Sequence, residues 1–367
     1  MKNERIYLSP PNTGKEEVDG LSGIMDTGWV APVGPAIDAF ETQLSSYVDG
    51  EVLALNSGTS ALHLALILCG VKDGDHVIVG NHTFAACANV VLYERAIPIF
   101  IDSENTTGNI DPDLLVEYLQ STDQIPKAII VTHIYGMPAQ IERVCEVAKK
   151  YGVIVIEDAA EALGSTVNGK PVGSFGDFGV VSFNGNKIIT TSSGGALICT
   201  PEMKKRGLHL ATQANVGDHR YDHKEAGYNY RMSNVLAGIG IAQFSKLDEF
   251  IRRKREIFDT YKEALSEYIS FTDEPKGIFS NRWLTAGLIR ENIEVMDLIY
   301  RLEKENIESR RFWKPLHLHS AFSEAPYVGG RLCEDMYEKG ICLPSGTGLS
   351  YQQQELVIEK IKQFFDQ

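Results

Sequence analysis

Short apolar runs alternate with segments of helical spacing along the first half of the chain. Runs rich in β-branched residues are typical of buried strands, and the segments between them carry apolar residues every three to four positions. The strand-like runs are 76–79, 97–101, 128–131 and 153–156. The helical segments are 84–94, 111–119 and 140–151. This alternation predicts an α/β fold in which crossover units build a mixed, mainly parallel sheet flanked by helices.

The pattern changes near residue 245. A charged segment at 246–266 keeps apolar residues on one face and predicts a helix that connects two domains. Beyond it, the strand-like and helical segments are 283–289, 293–303 and 353–365. The length of 367 residues suits roughly two domains. We therefore predict a large domain over residues 1–245 and a smaller C-terminal α+β domain over residues 246–367.

Composition excludes several classes of protein. A hydrophobic content of 43% excludes a disordered chain, and a net charge of -14 argues against binding nucleic acid or anionic membrane by bulk charge. No apolar run approaches the ~20 residues of a membrane helix, and no secretory leader opens the sequence. The six cysteines lack the spacing of zinc or redox motifs. We expect a cytoplasmic protein without a metal site.

Two candidate chemical groups follow from the positions of one lysine and one acid. Lys187 stands among turn-forming residues in the segment 182–187, and Asp158 follows the strand-like run 153–156. A lysine amine can bond to an aldehyde, and a carboxylate can keep a pyridine nitrogen protonated. Pyridoxal phosphate (PLP) chemistry needs both groups. A solvated surface lysine and a turn-capping aspartate are the alternatives.

The segment 57–60 adds a candidate phosphate site. Its hydroxyls and glycine lead directly into a helical run at 61–66. A helix start offers free backbone N–H groups and the positive end of the helix dipole to an anion. An ordinary N-cap would have the same residues. The combination of this segment with Lys187 and Asp158 favours the phosphate site.

Two nucleotide-binding patterns would give a different interpretation. Residues 164–170 match the spacing of a phosphate-binding P-loop, but Pro171 stands where Ser or Thr should reach magnesium. We predict a hairpin turn there. The dinucleotide-binding pattern G-x-G-x-x-G does not follow the early strand-like runs, so a nicotinamide cofactor is not expected.

Six ordered blocks resemble the DegT family of nucleotide-sugar aminotransferases, and the similarity covers essentially the whole chain. The blocks are 28–35, 57–60, 157–164, 182–192, 227–233 and 343–350. The resemblance implies the PLP-dependent transferase fold type I and a homodimer. It also implies PLP as cofactor, which becomes pyridoxamine 5'-phosphate while an amino group passes from L-glutamate to a nucleotide-linked keto sugar.

The resemblance assigns roles around the cofactor. Lys187 would bind PLP covalently and shuttle a proton during transfer, while Asp158 would pair with the ring nitrogen. The phosphate would be held by Ser57, Gly58, Thr59 and Ser182.

For three further positions, the resemblance implies a role and the residue itself suggests an alternative. Phe84 would stack on the pyridine face, although an aromatic residue at a helix start is more often part of the core. Glu161 would contact the phenolic oxygen or the substrate, with a solvated helix-start carboxylate as the alternative. Asn229 would reach the cofactor phosphate of the partner subunit, with a plain turn as the alternative.

The reaction is also inferred from the resemblance. Relatives that dehydrate sugars have histidine in place of the lysine, so Lys187 indicates amino transfer, with carbon 4 of a 4-keto-6-deoxy sugar as acceptor. The block 182–192 most resembles enzymes that make UDP-4-amino-4,6-dideoxy-N-acetylglucosamine on the bacillosamine route. Asn184, which replaces a bulky aromatic residue, would leave room for the sugar's acetamido group. The alternatives are a GDP- or dTDP-4-keto-6-deoxyhexose, or another PLP reaction on the same fold.

Candidate substrate contacts lie in the segment 309–317, which resembles the segment that relatives place near the nucleotide. Cations and an aromatic residue suit a diphosphate and a base. The candidates there are Arg310, Trp313, Lys314 and His317. Trp29, in an early Pro- and Gly-rich loop, is a candidate for the sugar pocket. A solvated basic loop is the alternative for the whole segment.

Overall fold

The computed structural model describes residues 4–217 and 222–366 and places the strands in two larger sheets and one small one. The strands are β1 (Glu51–Leu55), β2 (His76–Gly80), β3 (Ile97–Ile101), β4 (Ala128–Thr132), β5 (Ile154–Asp158), β6 (Thr166–Val167), β7 (Lys170–Pro171), β8 (Phe178–Ser182), β9 (Gly195–Cys199), β10 (Ile269–Phe271), β11 (Ile278–Phe279), β12 (Thr285–Ile289), β13 (Arg310–Arg311), β14 (Tyr327–Val328) and β15 (Gly340–Leu343). The helices are α1 (Lys15–Thr27), α2 (Pro35–Tyr47), α3 (Gly58–Leu68), α4 (Ala86–Tyr93), α5 (Pro112–Ser121), α6 (Ile141–Tyr151), α7 (Pro201–Ala211), α8 (Asn234–Phe244), α9 (Leu247–Leu265), α10 (Val295–Lys304), α11 (Leu332–Lys339) and α12 (Tyr351–Phe365).

The large sheet has the strand order β1-β9-β8-β5-β4-β2-β3-β14. Strands β8, β5, β4, β2, β3 and β14 pair in parallel, whereas β9 is antiparallel to both β8 and β1. This is the mixed, mainly parallel sheet predicted from the apolar runs. Its central strands are buried on both faces, which explains why they read as continuous apolar segments.

Helices cover both faces of the large sheet. One layer of the core joins the sheet to α2, α5, α6 and α8. The other joins it to α3, α4 and α7. Helix α6 shows how the sequence specifies this packing, because Ile141, Val144 and Ala148 are buried on one face and Gly152 ends the helix in the left-handed conformation.

The C-terminal region builds a second, antiparallel sheet in the order β10-β12-β15-β13. Helix α9 occupies the segment predicted to be helical, and its apolar face packs on this sheet together with α10 and α12. Strands β6 and β7 form the predicted hairpin, with Asn168 and Gly169 at positive φ in the turn. The P-loop spacing at 164–170 is therefore a hairpin.

Two segments pair across the predicted domain boundary. Strand β14 extends the large sheet by pairing with β3. Ile6, at the other end of the chain, pairs with Ile307 and packs in the core of the C-terminal sheet. The pairing of β14 covers the edge of β3, which would otherwise present unpaired backbone groups. Among the described residues, no helix has the length and apolar character needed to cross a bilayer.

Candidate active site

A cavity of about 310 Å³ opens at the carboxyl ends of the parallel strands. Strands β5 and β8 end at Asp158 and Ser182, and the link from β1 to α3 runs along the same edge. Such an edge is where ligands bind in open α/β sheets. The predicted residues in the cavity wall are Ser57, Gly58, Thr59, Phe84, Asp158, Glu161, Ser182, Asn184, Lys187 and Trp313.

Lys187 lies in the loop that follows β8. Its backbone N–H donates to the carbonyl of Asn184 at 3.0 Å, and its side chain is only 13% exposed. The ammonium nitrogen lies 3.4 Å from Glu161 Oε1 and 4.1 Å from the ring centroid of Trp283. The lysine therefore points into the cavity, which contradicts the alternative of a solvated surface residue.

Asp158 is buried at the end of β5, with both carboxylate oxygens engaged. Oδ1 accepts from the backbone N–H of Ala160 at 3.1 Å, and Oδ2 accepts from the thiol of Cys87 at 3.0 Å. Burial raises the pKa of the Cys87 thiol, and the adjacent carboxylate raises it further. The thiol thus stays protonated as a hydrogen-bond donor. Sequence reasoning missed Cys87, because only the folding of α4 onto β5 brings it to Asp158.

The predicted phosphate site lies at the start of α3. Ser57 caps the helix by accepting from the N–H of Ser60 at 3.0 Å, and the first N–H groups of a helix have no acceptor within it. A Cβ atom on Gly58 would lie 3.0 Å from the Cβ of Ser182. Glycine at this position therefore keeps open the space between the helix start and the Ser182 hydroxyl.

Glu161 is buried in the turn at 160–164, so the alternative of a solvated helix-start carboxylate is wrong. Its Oε2 accepts from the backbone N–H of Tyr135 at 2.7 Å. Burial raises the pKa of the Glu161 carboxyl, while Lys187 and this N–H oppose the rise. Tyr135 has a φ of 53°, a strained conformation for a residue other than glycine.

Phe84 and Trp313 form an aromatic part of the cavity wall. The ring of Phe84 is 54% exposed, so it does not belong to the core, and its centroid lies 5.2 Å from that of Trp313. The backbone N–H of Trp313 donates to the Tyr135 hydroxyl at 2.8 Å. Within the described residues, the buried indole Nε1 of Trp313 has no hydrogen-bond partner.

A second cavity of about 720 Å³ adjoins the first and shares Asn186, Trp283 and Trp313 with it. Arg310 and Lys314 are exposed residues of its wall, and Arg310 pairs with Glu308 at 2.7 Å. The N-terminal residues 7–11 form the opposite side. Cations beside an apolar cleft can bind an anion attached to a flat ring.

Three predicted residues, Trp29, Asn229 and His317, lie away from both cavities. The backbone carbonyl of Trp29 accepts from Asn234, and the Trp29 side chain is half exposed. Asn229 is exposed beside Asn56, which donates to its carbonyl at 3.0 Å.

His317 also lies apart from the cavities, although its neighbours along the chain line one of them. Its ring stacks on Tyr327 at 4.1 Å, contacts Asn81 at 2.8 Å and lies 3.4 Å from Glu334. These contacts anchor the loop before β14. They give His317 a structural role that requires no contact with a substrate.

The residues of the first cavity fit PLP. Lys187 supplies an amine, Asp158 a buried carboxylate, and the start of α3 with Ser182 an anion site that a side chain at Gly58 would fill. When bound, PLP supplies a protonated ring that accepts electrons from the substrate. The fold and this arrangement define a PLP-dependent enzyme.

Comparison with known proteins identifies the family. The chain belongs to the DegT/DnrJ/EryC1/StrS aminotransferase family, whose sequence profile matches residues 11–362. EpsN of Bacillus subtilis, which carries the name of a pyridoxal phosphate-dependent aminotransferase, is 44% identical over 99% of this chain and 96% of its own length. A GDP-perosamine synthase of Escherichia coli is 37% identical over 100% of this chain and 99% of its own.

Solved structures share the fold over nearly the whole chain. The aminotransferase TlmJ of Streptoalloteichus hindustanus matches with a TM-score of 0.92 and 28% identity, covering 100% of this chain and 99% of its own. A Streptococcus pneumoniae protein described as a sugar aminotransferase, in its PLP form, matches with a TM-score of 0.91 and 28% identity over 99% of each chain. The predicted fold, the PLP cofactor and the class of sugar aminotransferase are thus confirmed.

Proposed function

We propose that the enzyme transfers the amino group of L-glutamate to carbon 4 of a nucleotide-linked 4-keto-6-deoxy sugar. The observation that carries this proposal is the pair of adjoining cavities. The smaller one contains Lys187 and Asp158, and the larger one, with cations in its wall, far exceeds the size of an amino acid. A sugar joined to a nucleotide would extend from the first into the second.

Each residue near the cofactor has a defined task in this reaction. Asp158 keeps the ring nitrogen protonated, and the Cys87 thiol holds one of its oxygens. Lys187 moves the proton that leaves or joins the substrate carbon. Glu161 lies close enough to Lys187 to stabilise its ammonium form between proton transfers. Trp313, with an unpaired indole N–H among the described groups, offers a donor to the bound sugar nucleotide.

A GDP-linked sugar is the leading acceptor. The GDP-perosamine synthases of Escherichia coli and Vibrio cholerae are 37% and 34% identical to this chain over nearly its whole length. Their names describe a GDP-linked amino sugar as product. This supports the GDP-linked alternative more strongly than the UDP-linked sugar of the bacillosamine route.

A UDP-linked sugar with a 2-acetamido group is the second candidate. It is favoured by Asn184, a small polar residue in the wall of the cavity that contains Lys187. The side chain would donate to or accept from the acetamido group. EpsN, which is 44% identical, carries no sugar in its name and fits either candidate.

The function is tested by supplying the PLP-loaded enzyme with L-glutamate and one 4-keto-6-deoxy sugar linked to GDP, UDP or dTDP. We expect continuous formation of 2-oxoglutarate only when a ketosugar nucleotide is present, with the fastest turnover for the GDP sugar. Lys187→Arg is the control, because it keeps the charge but cannot carry the cofactor. Failure of all three sugars to sustain 2-oxoglutarate formation contradicts the proposal, and clear preference for the UDP sugar promotes the second candidate.

The proposal includes the assembly and the location. We infer a homodimer in which Asn229 reaches the cofactor phosphate of the partner subunit, which agrees with its exposure at a distance from its own cavity. A cytoplasmic location, where nucleotide sugars are made, also belongs to the proposal. Neither nucleic acid nor membrane is a partner in it.

A further inference from the structure

We propose that Trp283 is a positioning residue for Lys187, and that its indole face holds the lysine amine in place whenever the amine is not bonded to the cofactor. This inference rests on the proposed amino transfer, in which the lysine must leave the cofactor and then move a proton. In the sequence, Trp283 is only the first residue of the strand-like run 283–289.

The contact between the two side chains is direct. Trp283 is 1% exposed and is in the wall of both cavities. The Lys187 nitrogen lies 4.1 Å from its ring centroid, which is the geometry of a cation–π contact. The indole Nε1 donates to the carbonyl of Asn186 at 2.7 Å. Trp283 therefore contacts both the lysine amine and the backbone next to the lysine.

The backbone of Trp283 is held from two sides. Its N–H donates to Asn281 Oδ1 at 2.9 Å, and its carbonyl accepts from the buried Lys254 at 2.8 Å. Arg282, directly before it, has a φ of 52°, a conformation that persists only where the surroundings enforce it. Strain of this kind next to a functional side chain indicates that the ring position is fixed by the fold.

One amide connects the two groups that contact the lysine amine. The Asn281 Nδ2 donates to the carbonyls of Glu161 and Leu163, both at 3.0 Å, while its Oδ1 accepts from Trp283. Glu161 lies on one side of the Lys187 nitrogen and the Trp283 ring on another. Asn281 therefore links the backbone of Glu161 to the backbone of Trp283.

This arrangement has a kinetic consequence. The four-carbon side chain of lysine is flexible, and proton transfer requires its amine within hydrogen-bond reach of the substrate carbon. A ring that keeps the amine near the cavity reduces the number of side-chain conformations that the lysine samples before proton transfer at each turnover. Loss of the ring should slow the proton-transfer step and leave binding of glutamate nearly unchanged.

The first test uses the enzyme without cofactor, so it is independent of the sugar substrate. Trp283→Phe keeps an aromatic face, and Trp283→Leu removes it. Acetylation of Lys187 by a small activated ester is followed by mass spectrometry, with the exposed Lys15 as internal reference. We expect about fivefold faster acetylation in Trp283→Leu and less than twofold in Trp283→Phe, because the leucine neither stabilises the ammonium nor covers it.

The second test is a single turnover of the PLP-loaded enzyme with glutamate alone, followed by absorbance. We expect Trp283→Leu to lower the maximal rate about tenfold at an unchanged half-saturating glutamate concentration, and Trp283→Phe to recover most of it. Tyr300→Leu is the control, since Tyr300 is an exposed aromatic residue of α10 away from both cavities. If Trp283→Leu does not fold, Trp283→Met replaces it.

Equal acetylation and equal single-turnover rates in all variants would overturn the proposal. An equal loss in Trp283→Phe and Trp283→Leu would also overturn it, because the role would then belong to the hydrogen bond with Asn186. If the enzyme turns over none of the sugar acceptors, both tests of Trp283 still apply, because neither test uses a nucleotide sugar.

Discussion

Asp158 shares its two oxygens between a backbone N–H and a thiol, and this pairing fixes the direction of its carboxylate. Hydrogen bonds to a charged group contribute about 1.5–3 kcal/mol each. A thiol is a weak donor, but in the proposed site its bond to the ionised Asp158 helps to orient the carboxylate toward the ring nitrogen. A thiol whose pKa is raised by burial and by the carboxylate remains a donor over the whole working pH range.

Replacement of this donor should weaken cofactor binding. We expect Cys87→Ala to raise the Kd for PLP about tenfold, since Asp158 loses one of its two hydrogen bonds, and Cys87→Ser to stay within about threefold of the natural enzyme. The measurement is an absorbance titration of cofactor-free protein. Cys145→Ala, on the outer helix α6, is the control. Identical constants for Cys87→Ala and the natural enzyme would show that the thiol does not support Asp158.

Site residues that lie beside a recognisable turn, strand end or helix cap could be predicted from the sequence. Site residues that tertiary packing brings in from distant segments could not. Lys187 and Asp158 stand beside a turn and a strand end, and the start of α3 has cap residues. Cys87 and Trp283 reach the site only because α4 and the segment before β12 pack against β5 and the lysine loop. Neither residue is near its partner along the chain, so no spacing could have indicated the contact.

At the scale of elements, the anion site predicted at the start of α3 depends on Gly58, which has no side chain. We expect Gly58→Ala to weaken binding of PLP about tenfold and to leave binding of pyridoxal, which lacks the phosphate, nearly unchanged. The added Cβ would lie 3.0 Å from Ser182 and narrow the anion site. Titration of both ligands measures the effect. Gly23→Ala, where nothing lies within 4 Å of the added atom, is the control. An equal loss for both ligands would contradict the assignment.

Helix α9 carries a buried lysine that links stability to pH. Lys254 donates to the carbonyls of Trp283 and Ser345 at 2.8 and 2.9 Å and to the Ser9 hydroxyl at 3.2 Å. Burial lowers its pKa from 10.5 to about 7. Between these values the unfolded chain binds more protons than the folded one, so this residue makes stability rise as the pH increases.

The pH dependence can be isolated by substitution. We expect the free energy of unfolding of the natural enzyme, relative to that of Lys254→Met, to increase between pH 7 and pH 10 with a slope approaching ~1.4 kcal/mol per pH unit. Denaturant titrations at several pH values measure this difference. Lys205→Met, at an exposed position of α7, should show no such slope relative to the natural enzyme. A parallel pH response of the natural enzyme and Lys254→Met would refute the assignment.

Two helix boundaries lie close to those that the sequence predicts. The segment 246–266 contains α9 at Leu247–Leu265, and α6 ends where Gly152 adopts the left-handed conformation. The helix predicted from Phe84 begins at Ala86 instead, and Phe84 lies before it in the wall of the cavity.

At the scale of the whole molecule, the proposed homodimer can be tested through Asn229. We expect Lys187→Ala and Asn229→Ala each to be nearly inactive alone, and their coexpressed mixture to regain activity in the mixed dimer. One site of that dimer combines the intact Lys187 of one subunit with the intact Asn229 of the other. Activity of the purified mixed dimer, separated by two affinity tags, is the measurement. No recovery would show that Asn229 acts within its own subunit or has no role.

The architecture of two sheets was predictable because apolar periodicity is local, whereas the pairing of distant segments was not. Strand β14 has two residues, and Ile6 pairs through a single bridge, so neither leaves a repeat in the sequence. The pairing of β14 depends on the edge of β3 that it covers. These contacts join residues more than 200 positions apart, and local hydrophobic periodicity does not predict contacts at such a separation.

The pairing of β14 with β3 also bears on recombination between relatives. A chimera joined at the boundary between residues 245 and 246 would bring a foreign edge strand to the native sheet and a foreign partner to Ile6. Exchange of acceptor specificity by domain shuffling would therefore need four crossover points, so that residues 4–11 stay with the C-terminal sheet and residues 313–330 stay with the large sheet. Exchanging only residues of the cavity walls would keep both pairings and could still alter the product.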